Sequence, residues 1–312
     1  MTDIPSNGAS DSLARLEQIV EDLLKEAARQ GASAAEAVAS SDAGLETTVR
    51  LGEVETVEHT RDNGVGITVY FGHRKGSSST SDLNPDAIRD AVSAACSIAG
   101  QTQDDHCAGL ANASRMATAV PDLDLYHPWA LTVEDAIALA AECEDAARAC
   151  DQRVVNSEGA SVSTHSSVHV YGNSHGFIGG YPTSRHGLSC SVVAQEGESM
   201  QRDYWWSSAR AASAAEVGRR AGERAVARLN GRRLATRQSP VIFSAQTAAG
   251  LLRSLVGAIT GSSLYRRASF LLDRLDEQIF PEFVRIHEAP HMPRGLGSAP
   301  FDGDGVATTA KD

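Results

Sequence analysis

The sequence holds no run of 18 apolar residues, so no segment is expected to cross a membrane as a helix. Its first thirty residues lack a basic stretch followed by an apolar core, so no secretory signal is expected. Cysteine is scarce. The five present (Cys96, Cys107, Cys143, Cys150 and Cys190) are odd in number, scattered, and form no C-x-x-C pair. That excludes a disulfide framework and a paired-cysteine zinc site, and it fits reduced thiols in a cytoplasm. Lysine is nearly missing, three against 25 arginines, a bias better explained by GC-rich coding than by any one use of arginine. What remains is ordinary globular composition, 42% apolar and 22% charged over 312 residues, enough for two domains without staples.

The net charge of −12 is unevenly spread: residues 1–150 carry −15 and residues 151–312 carry +3. An acidic half repels phosphate backbones, so nucleic-acid binding is not expected there.

Residues 1–12 are polar and small, and are expected to be a disordered N-terminus. From Leu13 a helical apolar stripe (Leu16, Val20, Leu23, Ala27) runs to Gly31. Short strands then follow at 49–51, 54–60 and 65–71, with Asn63-Gly64 expected to be a hairpin turn because both residues tolerate positive φ. Asn84-Pro85 opens a helix that Gly100 ends, and residues 101–131 read as a linker. Thr132 caps the next helix, alternating runs occupy 154–209, and Ser213-x-x-Glu216 is a capping box. Residues 239–243 have the composition of a short buried strand, as do residues 283–286. No internal repeat of fixed period is evident. The fold class is α+β, helices packed on antiparallel β-meanders, with an α+β domain at 13–105 and a second at 120–235.

Several constellations bear on chemistry. His287-Glu288-Ala289-Pro290-His291 matches H-E-x-x-H, which needs one helical turn to place both imidazoles on a metal. Pro290 breaks that helix, so a loop with two polar histidines is expected. His165 and His169 lie in a strand, where four residues span roughly 13 Å, too far for one ion. His175 sits in a Gly-bracketed loop able to present it to a ligand. There is no G-x-S-x-G elbow, no P-loop and no dinucleotide fingerprint. Arg220, Arg224, Arg228 and Arg232 recur every four residues, giving one basic helical stripe. It is a solvated face, a face paired with the acidic N-terminal half, or a docking surface for an acidic partner or peptide.

Taken in order, Gly64-Val65-Gly66-Ile67-Thr68-Val69-Tyr70, Asn173-Ser174-His175-Gly176-Phe177, Met200-Gln201-Arg202-Asp203-Tyr204-Trp205, Gly261-Ser262-Ser263-Leu264-Tyr265-Arg266 and Pro293-Arg294-Gly295-Leu296-Gly297-Ser298-Ala299-Pro300-Phe301-Asp302 resemble the TldD/PmbA family. The resemblance runs from about residue 13 to Asp302 and is closest to the PmbA branch, also called TldE. It implies a cytoplasmic protein that pairs with a TldD-like chain in a heteromeric metalloprotease. Such assemblies degrade unfolded peptides and mature a peptide precursor.

In the TldD branch, zinc is held by an H-E-x-x-x-H helix and a further C-terminal ligand. The resemblance places Arg253, Ser254 and Ala258 at those three positions, so no zinc is expected in this chain and zinc is expected in a TldD-type partner. It also implies that residues 238–312 begin a C-terminal, β-rich, metalloprotease-like domain that is cut short. Two rivals remain: an autonomous zinc peptidase using His287, Glu288 and His291, and a non-functional truncated fragment.

Overall fold

The computed structural model describes residues 6–312. Of the N-terminal stretch expected to be disordered, residues 1–5 lie outside the described residues. Residues 6–12 are helical, because the amphipathic stripe reaches back to Ala9 and gives those turns a core to pack on.

Two compact units are present, the described residues up to Gly231 with 288–311, and residues 232–287 with 312. In the first, helix α1 (Ser6–Arg29) is followed by strands β1 (Ala34–Arg50), β2 (Glu53–Phe71) and β3 (Arg74–Thr80), then α2 (Pro85–Gln101). The same order recurs as α3 (Val133–Ala149), β4 (Val154–Asn173), β5 (Ile178–Glu196), β6 (Ser199–Ser207) and α4 (Ala214–Ala227). Thus an architectural repeat exists that no sequence period announces. The six strands form one antiparallel sheet in the order β3-β2-β1-β4-β5-β6, joined through β1 and β4.

The segments 13–105 and 120–235, expected as separate domains, each supply three strands to this sheet. They nonetheless own separate cores. Leu16, Val20 and Leu23 of α1 and Val92 of α2 bury against Ala37, Ile67 and Val170. Ala140 and Cys143 of α3 and Val217 and Ala221 of α4 bury against Leu45, Val162 and Val192. Strands β1 and β4 pass through both cores with side chains of one parity, so all four helices cover the same sheet face. The opposite face shows a polar row from β1 and β4: Ser40, Asp42, Ser163, His165, Ser167 and His169.

Asn63-Gly64 is not a turn. It lies inside β2, where Asn63 pairs with Ser41 and Gly64 with Ser40. The chain reverses instead at Leu51-Gly52, both at positive φ (53° and 81°), the geometry of a two-residue I′ hairpin, and again at Gly72. Residues 53–62 of β2 are exposed because β3 pairs with β2 only from Val65 onward. Glu53, Glu55, Glu58, Arg61 and Asp62 put charge along that free edge, which discourages further strand addition.

The capping signals at Thr132 and Ser213 hold, whereas Asn84 stands at the N-cap of α2 with no side-chain capping bond. Thr132 Oγ1 accepts from Asp135 N (3.1 Å) at the start of α3, and Ser213 Oγ accepts from Glu216 N (3.3 Å) at the start of α4. Helices α3 and α4 approach closely because Gly218 and Gly222 face Cys143 and Ala147, where any Cβ would strike backbone.

The second unit contains α5 (Ala245–Ile259) and α6 (Gly261–Tyr265) and no strand. Residues 239–243 belong to no strand, and Ile242 is 97% exposed. A strand exists only with a partner, and none in the described residues pairs with it. Residues 283–286 form no strand either; the segment begins in a turn that Val284 N closes on Pro281 O at 2.9 Å.

Candidate functional site

Arg253, Ser254 and Ala258, which the resemblance led us to expect as degenerate metal positions, all lie on helix α5. It is a regular α-helix from Ala245 to Ile259, led by Ser244. Arg253 is exposed, while Ala258 is buried and its carbonyl accepts from Ser269 Oγ at 2.7 Å. Positions five apart on such a helix differ by about 140° in direction. Ser254 Oγ is spent on Gly250 O at 3.0 Å, a back-bond within the helix. A guanidinium repels a divalent cation, a hydroxyl already donating to its own helix is no general base, and a methyl has no lone pair. The residues present do not fit a zinc ion.

The histidine pentapeptide is not helical, as Pro290 requires. His287 Nδ1 lies 2.7 Å from Asp312 Oδ1, and His291 Nε2 lies 2.9 Å from Thr308 Oγ1. Glu288 exchanges backbone hydrogen bonds with Lys311. None of the pentapeptide joins a cluster of three metal-ligating groups; among the described residues only Asp105, His106 and Cys107 form one.

Residues 288–311 return to the first unit as a strap, and the Pro-Arg-Gly-Leu-Gly-Ser-Ala-Pro-Phe-Asp segment docks there. Arg294 Nε donates to Asp124 and Arg294 N to Leu123 O (2.9 Å). Phe301, 2% exposed, meets Phe177 and Tyr181 edge-on at 5.2 and 5.4 Å. A cavity of about 140 Å³ lies under the strap, lined by Asp124, His127, Ser184, Arg185, Arg294 and Ser298 among others. Arg185 closes one side by donating to Leu296 O at 3.0 Å, and the Arg294 guanidinium holds the Asp124 carboxyl below the usual range.

Three arginines of the stripe, Arg220, Arg224 and Arg228, lie on α4 or just past it and are engaged within the chain. Arg220 pairs with Glu216 and sits 5.2 Å from the Trp205 ring centre; Arg224 sits 5.5 Å from the same ring. Arg224 and Arg228 both reach the Asp203 carboxylate of β6 (3.2 and 3.5 Å), whose side chain is 8% exposed. The negative partner is therefore in the sheet beneath the helix rather than in the acidic half. Each guanidinium keeps a solvent-facing part.

His175 is exposed in the β4–β5 turn, with Nε2 3.1 Å from Ala111 O. His165 and His169 lie on the open sheet face, and burial pulls the His169 pKa below its ordinary value. Three features escape pattern reading. Glu144 is fully buried in α3 yet accepts from Leu51 N and Gly52 N across 93 and 92 residues of sequence. The cavity under the strap assembles residues from four separate segments. The Asp105-His106-Cys107 turn falls in the stretch expected to be linker, where only the tripeptide itself signals ligands.

The fold is shared with solved structures. It superposes on a candidate modulator of DNA gyrase from Bacteroides thetaiotaomicron with a TM-score of 0.87 at 23% identity, covering 99% of this chain and 70% of that one. On TldE from Thermococcus kodakarensis the score is 0.69 at 16% identity, covering 94% and 66%. The chain therefore shares the fold of these structures over nearly its whole length.

Family models agree along the chain. PmbA/TldA metallopeptidase domain 1 matches residues 35–99, the central domain 126–229 and the C-terminal domain 236–312. The protein belongs to the PmbA/TldD family. It is 46% identical over 282 residues to the metalloprotease PmbA of Escherichia coli O157:H7, covering 89% of this chain and 63% of that protein. A Haemophilus influenzae homologue is 44% identical over 301 residues, covering 95% and 66%. The chain spans less than two thirds of the length of these relatives.

Proposed function

We propose that this chain is the PmbA/TldE-type, non-catalytic subunit of a heteromeric peptidase whose zinc resides in a TldD-type partner. The observation that carries the reading is α5: Arg253, Ser254 and Ala258 stand where ligands and base would be, and none has the donor chemistry. The open sheet face supports a role in holding substrate. Its Ser-, Thr- and His-lined rows offer hydrogen bonds to a polypeptide backbone without selecting one side chain, which suits unfolded peptides in a chamber. In this reading the chain binds and orients peptide, and the partner cleaves it. It acts in the cytoplasm.

The test is co-expression with the TldD-type chain of the same organism, then co-purification and cleavage of an unstructured fluorogenic peptide. The pair should copurify and cleave while this chain alone does not. An isolated chain that cleaves peptide, and stops doing so on His287→Ala, establishes the autonomous peptidase instead.

A further inference from the structure

Between α2 and the short helical turn at Ala113–Arg115, the chain closes a tight turn over residues 105–108. Ala108 N donates to Asp105 O at 2.7 Å and Cys107 N to Asp105 Oδ1 at 3.0 Å. The turn is also fastened to the β2–β3 hairpin, since Asp105 N donates to His73 O (3.1 Å) and His73 Nδ1 meets Ala108 O at 3.0 Å. Its position is therefore fixed from both ends before any ligand arrives. On this turn the carboxylate of Asp105, the imidazole of His106 and the thiol of Cys107 bring one ligand atom each within 4.8 Å of one another.

All three side chains are exposed. Zn–N near 2.1 Å and Zn–S near 2.3 Å in a tetrahedron put ligand atoms roughly 3.5 Å apart. Rotation of exposed side chains closes that difference without moving the turn.

We propose that Asp105, His106 and Cys107 form a zinc-binding site with solvent in the fourth position. The donor set chooses the ion. A thiolate with an imidazole suits zinc and disfavours magnesium and calcium, which take oxygen ligands. The other thiols are poorer ligands: Cys143 and Cys190 are buried, and burial raises the Cys96 and Cys150 pKa values, whereas Cys107 is exposed. The surrounding field helps, because Asp104 adjoins the turn and residues 1–150 carry −15. Binding displaces the Cys107 thiol proton to solvent and forms a zinc–sulfur bond, with no oxidant or reductant required.

The full chain, stripped with chelator and desalted under reducing conditions, is titrated with cobalt(II) as a spectroscopic stand-in for zinc. One equivalent should produce a thiolate-to-cobalt charge-transfer band, which one equivalent of zinc then removes. Cys107→Ser should abolish the band, and His106→Gln should weaken cobalt binding at least tenfold. Asp105→Asn keeps the acceptor for Cys107 N and so preserves the turn; it should weaken binding several-fold. Cys150→Ser should leave the titration unchanged. Absence of the band, its survival in Cys107→Ser, or wild-type affinity in His106→Gln would overturn the proposal.

Discussion

Glu144 offers the sharpest test of how the two halves of the sheet are held together. Its carboxylate is fully buried in α3 and accepts from Leu51 N at 2.8 Å and Gly52 N at 2.9 Å. Those donors sit at the tip of the β1–β2 hairpin, where both residues have positive φ and direct their N–H groups to one point. A hydrogen bond to a charged group contributes about 1.5–3 kcal/mol, so two give about 6 kcal/mol at most. Leu51 and Gly52 are exposed, so water can re-satisfy part of that loss once the carboxylate is gone.

Glu144→Ala should therefore destabilise the first unit by about 2–4 kcal/mol. Glu144→Gln keeps the volume and one acceptor but turns an NH2 toward a second N–H, and should lose roughly half as much. For a unit of this size, each kcal/mol lowers Tm by about 2–4 °C. Trp129, Trp205 and Trp206, the only tryptophans, all lie in the first unit. Fluorescence-monitored urea or thermal unfolding thus reads that unit alone. Both variants falling within about 0.5 kcal/mol of wild type would show that the buried carboxylate does not tie hairpin to helix.

Gly218→Ala should destabilise the same unit by several kcal/mol, because the new Cβ meets the Cys143 carbonyl on α3, where no flexible side chain can yield; wild-type unfolding in urea would contradict it. The Arg153 guanidinium holds the Asp151 carboxyl at about 2 against an ordinary 3.8, so the stability this pair contributes is complete above about pH 4 and lost as pH falls through about 2. Arg153→Gln should raise the Asp151 pKa toward 3.8 in a carboxyl NMR titration. The second unit exposes Leu251, Leu252, Val256 and Ile259 on α5, each at least half exposed, so the chain expressed alone should self-associate; a monodisperse monomer in analytical ultracentrifugation would refute this. Reversing Arg220 to Glu should weaken association with a TldD-type chain at low salt if the stripe is the docking surface. Arg224 and Arg228 are less informative there, since reversing either sets a negative charge against the buried Asp203, whereas Arg220 faces the more exposed Glu216.

Helix ends were legible because capping is local. Thr132, Ser213 and Pro85 each act within one turn, so the residues that decide the boundary are adjacent in sequence. Strand ends were less legible. Asn63-Gly64 has turn chemistry, yet β1 continues past Ser40 and Ser41 as a partner, and the pairing overrides the local preference. Residues 239–243 fail in the opposite sense, having strand composition without a partner.

One sheet carries two cores because β1 and β4 are long enough to serve both, and length of pairing is not written in any short window. At the candidate site, Pro290 alone predicted the loop at 287–291. That Arg224 and Arg228 converge on Asp203 required the fold, because 21 and 25 residues separate them from it.

In the proposed function, peptide cleavage belongs to a partner and not to this chain. The direct measurement is turnover of an unstructured fluorogenic peptide in zinc-containing buffer, by this chain alone and after mixing with the TldD-type chain. The account predicts no turnover alone and turnover in the mixture that is nearly unchanged by His287→Ala or His291→Ala in this chain. Turnover by the chain alone that disappears with either substitution would contradict it.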